Sequence, residues 1–210
     1  MNRAIYILLL SFFFIQCDVN EKDKDKAVPF NDVDGKYIHL ETENIYLFVP
    51  KKVKLFSISQ YKEFIDSIED PRVRKIERDR YLNMKYGIEN TYVMRSEDLE
   101  LDVTYMSIPY IRIDQSVSQT LLQLLNRQHK KNGKVFGLES SFSRAGIIKK
   151  GHDRIFRAIF LYKGIEVLTG EDAQIYTYFY VINRNGKTFV LSFNSKKVYD
   201  FDSYVQKIKL

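Results

Sequence analysis

The sequence predicts an α+β fold, one antiparallel sheet flanked by helices in a sandwich, standing behind an amino-terminal signal peptide and a disordered charged tether. Three observations carry this reading. Leu99, Leu101, Val103 and Tyr105 alternate with Glu100 and Asp102, the period of a half-buried strand. Val117, Leu121, Leu124, Leu125 and Gln128 recur at helical spacing. Asn185-Gly186 lies between two β-rich runs and is the strongest short-range hairpin signal in the chain.

The amino terminus concerns placement, not fold. Arg3 precedes an apolar run from Ala4 to Ile15 with Ser11 its one polar residue, and Cys17, the single cysteine, follows after Gln16. At 1.5 Å per residue that run covers only ~18 Å of a ~30 Å hydrocarbon core, too little to span it comfortably. A positive start, a short apolar core and a change of character are the zones of an export signal. The run resembles the bacterial lipoprotein lipobox. That resemblance implies diacylglyceryl attachment to Cys17 and cleavage before it, although Gln16 stands where Gly, Ala or Ser is usual. The expected division is 1–16 signal peptide, 17–27 lipidated cysteine and disordered tether, and 28–210 a single domain. An uncleaved signal anchor and a released soluble protein are the competing readings. The expected location is the bacterial cell envelope. Asp18, beside the anchor, resembles sorting signals of opposite meaning in different phyla, so the leaflet stays open.

From Asp18 to Lys26 charge alternates with almost no apolar content, which cannot offset chain entropy and predicts disorder. The domain then opens on strands Tyr37–Leu40 and Ile45–Val49 around Glu41-Thr42-Glu43-Asn44, closed by Pro50. Ser57 with Gln60 predicts a capping box for a helix bearing Ile58, Tyr61, Ile65 and Ile68 on one face. Asp70 and Pro71 start a second helix, with Val73, Ile76, Arg80 and Met84 on one face and Gly87 as its stop. Strands Thr91–Arg95 and Leu99–Tyr105 follow, ended by Pro109. A third helix starts near Asp114 and is expected to stop at Asn132-Gly133. Beyond it a meander is predicted. Its strands are Ser140–Lys149, Arg154–Tyr162, Ala173–Asn183 and Lys187–Phe193, with turns at 150–153 and 184–186. A last helix over Asp200–Lys209 sets Phe201, Tyr204, Val205 and Ile208 against the sheet.

This element order resembles the PsbP-like fold shared by the photosystem extrinsic subunit, eukaryotic Mog-type Ran-binding proteins and many bacterial lipoproteins. The resemblance is carried by the opening strand Ile45–Pro50, the helix Val117–Gln128, and the hairpin Tyr176–Phe193 followed by Phe201–Ile208. The stretch Pro71–Tyr86 doubles the helix usually found between the opening strands. The resemblance implies a binding or assembly role, not a particular ligand.

Chemistry is less legible. The chain carries 33 Lys and Arg against 27 Asp and Glu, a formal charge of +6 that becomes +5 without residues 1–16. Export makes nucleic acid an unsuitable partner, and Glu77 and Asp79 interrupt the longest basic run, from Arg72 to Arg80, so a solvated helix face is the favoured reading. An anionic envelope polymer or an envelope protein remains a fitting partner, besides the membrane reached through Cys17. The basic positions Arg72, Lys75 and Arg78 are therefore one candidate partner surface. The run Tyr176, Tyr178 and Tyr180 is the other, since exposed aromatics suit sugars or peptides, although the same alternation describes a strand covered on both sides. His39, His129 and His152 are read as surface or boundary residues without metal-ligand spacing. Glu166, Glu171 and Asp172 do not match calcium-loop spacing. No catalytic, metal or cofactor motif stands out. The reading is a non-enzymatic, membrane-anchored binding or assembly lipoprotein; the alternatives are a small envelope hydrolase whose residues converge only in three dimensions, and an immunity-type lipoprotein.

Overall fold

The computed structural model describes residues 34–86, 90–165, 170 and 172–210. The signal, Cys17, the tether, Gly87, Glu166 and Glu171 lie outside these residues. Strands β1 (Gly35–Leu40) and β2 (Ile45–Pro50) pair antiparallel, from Gly35 opposite Pro50 to Leu40 opposite Ile45. A 3₁₀ turn over Glu41–Glu43 joins them, and Asn44 closes it at φ 51°. The main sheet has seven antiparallel strands in the order β3-β4-β5-β9-β8-β7-β6. These are β3 (Lys54–Leu55), β4 (Thr91–Ser96), β5 (Leu101–Ile108), β6 (Glu139–Lys150), β7 (Asp153–Ile165), β8 (Asp172–Arg184) and β9 (Lys187–Ser195).

Helices α1 (Ile58–Ser67) and α2 (Pro71–Tyr86) fill the connection from β3 to β4, α3 (Gln115–Phe136) that from β5 to β6, and α4 (Phe201–Val205) follows β9. The capping box forms as expected: the Gln60 amide donates to Ser57 Oγ at 3.2 Å and the Ser57 amide to Gln60 Oε1 at 2.9 Å. Asp114 caps α3, accepting from the Val117 amide at 3.0 Å.

The two sheet faces are covered differently. On one, Met94, Val103, Tyr180, Ile182, Leu191 and Phe193 pack against the β1–β2 hairpin and against Phe201, Val205 and Ile208. On the other, Phe156, Ala158, Phe160, Val181 and Val190 meet Leu121, Leu122 and Leu125 of α3, with Ile113 beside them. Further along that same face, Val93 meets Tyr61 and Ile65 of α1, with Tyr81 and Met84 of α2. A sheet buried on both sides has room for apolar residues in both registers, which is why β7 and β8 read almost continuously apolar.

Several element bounds differ from the sequence reading, most by a few residues at strand ends. Helix α3 runs past Asn132-Gly133 to Phe136, because Gly133 serves close approach: a Cβ there would lie 2.6 Å from the Leu138 carbonyl oxygen. Gly137, at φ 71°, is the stop, its amide reaching back to the Gly133 and Lys134 carbonyls. The last helix ends at Val205, since Lys209 leaves it to exchange backbone hydrogen bonds with Tyr46 of β2 at 2.9 and 3.0 Å. Strand β5 begins at Leu101, because Glu100 turns at φ 48°. Strand β3 is a two-residue addition that periodicity does not reveal.

Phe201 holds the α4 layer to the sheet. Its ring stacks on Phe193 at 4.1 Å, meets Tyr178 edge-on at 4.8 Å, and is 1% exposed. Phe201→Ala is expected to cost about 3–5 kcal/mol in urea unfolding. Tyr86→Ala, at a ring 70% exposed, is expected to change stability by less than about 0.5 kcal/mol.

Candidate functional site

Register places the cationic end of the sheet. Along β7 the residues facing α3 run Phe160, Ala158, Phe156 and then Arg154, and Arg154 stands opposite Lys149 of β6 and Asn183 of β8. Asn183 in turn stands opposite Thr188. These two polar residues clamp the loop that precedes α3: Asn183 Nδ2 donates to the Ile111 carbonyl at 2.9 Å, and the Ile111 amide donates to Thr188 Oγ1 at 3.2 Å. With both backbone groups of Ile111 fixed and Ile113 buried, Tyr110 and Arg112 are carried to the rim of a cleft of about 410 Å³. Lys149, His152 and Arg154 form the facing wall, and among the described residues Asp114 is the one carboxylate lining it.

The electrostatics of this cleft are lopsided. Arg154 donates to the Gly151 and Asp153 carbonyls at 3.0 and 2.9 Å, and to no carboxylate among the described residues. The Asp153 carboxylate is engaged on the other face, where Arg184 Nε donates to it at 2.7 Å. Neither Arg112 nor Lys149 has an ion-pair partner among the described residues.

A second cavity, about 290 Å³, lies between α1, α2 and the sheet. Phe56, Phe64, Ile68 and Val73 give it an apolar wall, and Glu77, Arg80, Arg95 and Asp102 a charged one. Its charges are already matched. Glu77 accepts from the Tyr61 hydroxyl and from Arg80, and Arg95 faces Asp102 at 3.5 Å while lying over the Phe64 ring at 4.3 Å. Burial pushes the Asp102 carboxyl up, against the pull of Arg95.

The three histidines separate. His39 is exposed and stacks on Tyr46 at 4.2 Å; His152 is exposed in the β6–β7 turn, on the cleft. His129 corrects the surface reading, since it is buried against the sheet. Its ring stacks on Phe160 at 3.9 Å, and Nδ1 shares a hydrogen bond with the Tyr162 hydroxyl. Burial lowers His129 to about 4 and pushes Tyr162 up to about 12.

The residues singled out from sequence do not form one surface. Tyr178 and Tyr180 are core, at 4% and 0% exposure, because the strand is covered on both sides; they cannot meet a partner. Tyr176 is half-buried beside that core. Arg72 is not a free cation: its guanidinium grips Asp70 through Nε at 3.2 Å and Nη2 at 2.7 Å, and Nη1 donates to the Val135 carbonyl of α3 at 3.3 Å. That grip holds the Asp70 carboxyl below its usual range. Lys75 and Arg78 are exposed. Cys17 lies outside the described residues. Among the described residues no three His, Cys, Asp or Glu side chains gather as metal ligands. Sequence reasoning missed Arg112, Lys149 and Arg154. Each looks like an ordinary surface cation; the β6–β7 register sets Lys149 opposite Arg154, and the Asn183 and Thr188 clamp on Ile111 carries Arg112 to the same cleft.

Two measurements check this assignment. Arg72→Glu is expected to lower the melting temperature, while Lys75→Glu and Arg78→Glu leave stability within about 0.5 kcal/mol of wild type. A buried neutral histidine stabilises the fold fully above its unfolded pKa of 6.5, and that contribution drains away as pH falls toward about 4. From pH 7 to pH 5 His129 is expected to account for about 2 kcal/mol of lost stability. His129→Phe, which keeps the ring on Phe160, should flatten the pH dependence of urea unfolding by that amount.

No protein-family model matches the chain, and neither does any curated protein. The solution structure of cyanobacterial PsbP (CyanoP) from Synechocystis sp. PCC 6803 matches with a TM-score of 0.50 and 8% identity, covering 84% of this chain and 92% of that one. Identity at that level speaks for architecture alone, and it agrees with the sheet flanked by helices described above. The chain has the PsbP-like fold.

Proposed function

We propose that this protein is a bacterial cell-envelope lipoprotein, anchored to a membrane through acyl groups on Cys17, that acts as a non-enzymatic binding or assembly factor. The anchor is supported by the short apolar run that ends at the single cysteine and by the charged stretch behind it. One observation carries the binding role: a preorganised cleft lined by Arg112, Lys149 and Arg154, none of which has a carboxylate partner among the described residues. Such a cleft attracts and orients an anion, whether part of an envelope protein or of an envelope polymer. The hydrolase reading has less to draw on, because Glu77 and Asp102 in the second cavity each already face an arginine.

The anchor is tested by metabolic labelling with a fatty acid and by membrane fractionation of wild type and Cys17→Ser. Label is expected in the wild type and not in the variant, with the variant leaving the membrane fraction; equal labelling would end the lipoprotein reading. Stable retention requires more than one acyl chain, since a single chain binds only marginally.

A further inference from the structure

We propose that the cleft between the 109–114 loop and the β6–β7 turn is a binding site for a phosphate monoester, with the phosphate held by Arg112, Lys149 and Arg154 and the organic part against Tyr110. This names the ligand class for the binding role proposed above and rests on that reading.

The first argument is the register. Lys149 and Arg154 are direct cross-strand partners on one face of the sheet, an arrangement that repels unless an anion lies between or above them. The described residues supply no such anion. Asp153, adjacent to Arg154 in sequence, points to the opposite face and is held by Arg184. Asp114 lines the cleft while serving as the α3 cap. Facing cations with no carboxylate partner among the described residues, set on the wall of a cleft, mark a site suited to an anion from outside the chain.

The second argument is preorganisation. Arg112 reaches the cleft from a loop whose neighbouring residue, Ile111, has both its amide and its carbonyl pinned by the sheet, so a bound anion does not have to order that segment. The third argument is stoichiometry of charge. Three cations against the single carboxylate of Asp114 leave two positive charges, matching the ~−2 of a phosphate monoester near neutral pH. Guanidinium forks and an ammonium suit its oxygens. A carboxylate would leave one charge unmatched. The fourth is size and surface: about 410 Å³ accommodates a small phosphorylated molecule, and the Tyr110 ring, 60% exposed on the rim, offers a flat apolar surface to a sugar or similar group. The end of α3 adds nothing to this argument, because Asp114 already occupies it.

The chemistry has two natural sources, a soluble metabolite or a lipid headgroup, and the test separates them. Full-length protein in detergent is titrated calorimetrically with glucose 6-phosphate and with glucose. Flotation of full-length Cys17→Ser, which removes the acyl anchor, on phosphatidylcholine vesicles with and without phosphatidic acid reads the lipid source. Saturable binding of glucose 6-phosphate without binding of glucose assigns a soluble monoester. Flotation that requires phosphatidic acid assigns a lipid one. In either case Arg112→Ala and Lys149→Ala should each weaken binding at least tenfold, and Lys75→Ala should not. Lys149→Ala should also keep or raise the melting temperature of the ligand-free protein, since it removes a repulsion. Absence of binding in both arms, binding unchanged in the two cleft variants, or a lower melting temperature for Lys149→Ala would overturn the proposal. Acylation of Cys17 is read separately by labelling, so failure here leaves the anchor as it stands.

Discussion

The β8–β9 hairpin carries both hydrophobic layers at once, and the rest of the fold is arranged around that constraint. Tyr178, Tyr180, Ile182, Phe189, Leu191 and Phe193 point toward the β1–β2 hairpin and α4, whereas Val181 and Val190 point toward α3. A slip of one residue would exchange the two sets, and no covering layer could accept the result. The turn prevents that slip. Asn185 and Gly186 sit at φ 50° and 74°, the paired left-handed conformation whose twist matches the strands, and Arg184 is set opposite Lys187. Arg184 then ties the hairpin outward, to Asp153 of β7 and to the Ile208 carbonyl beyond α4.

The helix-covered face is divided. α3 lies over β6 and β7, while α1 and α2 lie over β4, and the strip between them is polar: Asp102, Asn194 and Thr177 form one cross-strand row, with Thr104 and Ser192 in the next. Thr177 donates to Asn194 at 2.7 Å, so part of the strip is matched within the sheet. Arg72 spans the gap from above, holding Asp70 at the start of α2 and the Val135 carbonyl near the end of α3. A residue that sequence marks as a surface cation thus joins the two helical units. The charge of the 72–80 run is divided in the same way, since Arg80 turns inward to Glu77 beneath α2.

What was legible follows from the range of the interactions. The capping box and the Asn185-Gly186 hairpin are written within a few residues, and both form. The stripe of α3 forms only in part: Leu121 and Leu125 pack on the sheet, but Leu124 and Gln128 are exposed, and Ser118, Leu122 and His129 take the inward positions. The end of α3 was not legible, because Gly133 resembles a stop signal while its role is to admit the Leu138 carbonyl. His129 has the same difficulty: a histidine in a basic stretch reads as exposed until Phe160 and Tyr162 are seen to cover it. The tyrosine alternation at 176–180 fits an exposed platform and a two-sided core strand equally, and only the neighbouring layers decide for the core. The cleft is the extreme case. Arg112 belongs to a loop, Lys149 to an edge strand and Arg154 to its partner, and no local pattern links them.

The position of the cleft follows from a mismatch of lengths. At ~3.3 Å per residue the 13 residues of β7 extend roughly 43 Å, whereas the 22 residues of α3 extend roughly 33 Å. α3 covers the rows containing Phe160, Ala158 and Phe156, and the next row, containing Lys149, Arg154 and Asn183, lies beyond its first turn. Apolar residues in that row would be exposed, and a longer helix would bury cations without partners. The loop through Ile111 resolves the conflict: it closes the apolar layer with Ile113, anchors its backbone on Asn183 and Thr188, and leaves the charged row open to solvent. The overhang of sheet beyond helix is therefore what allows a packed core and an open cationic cleft to share one set of strands.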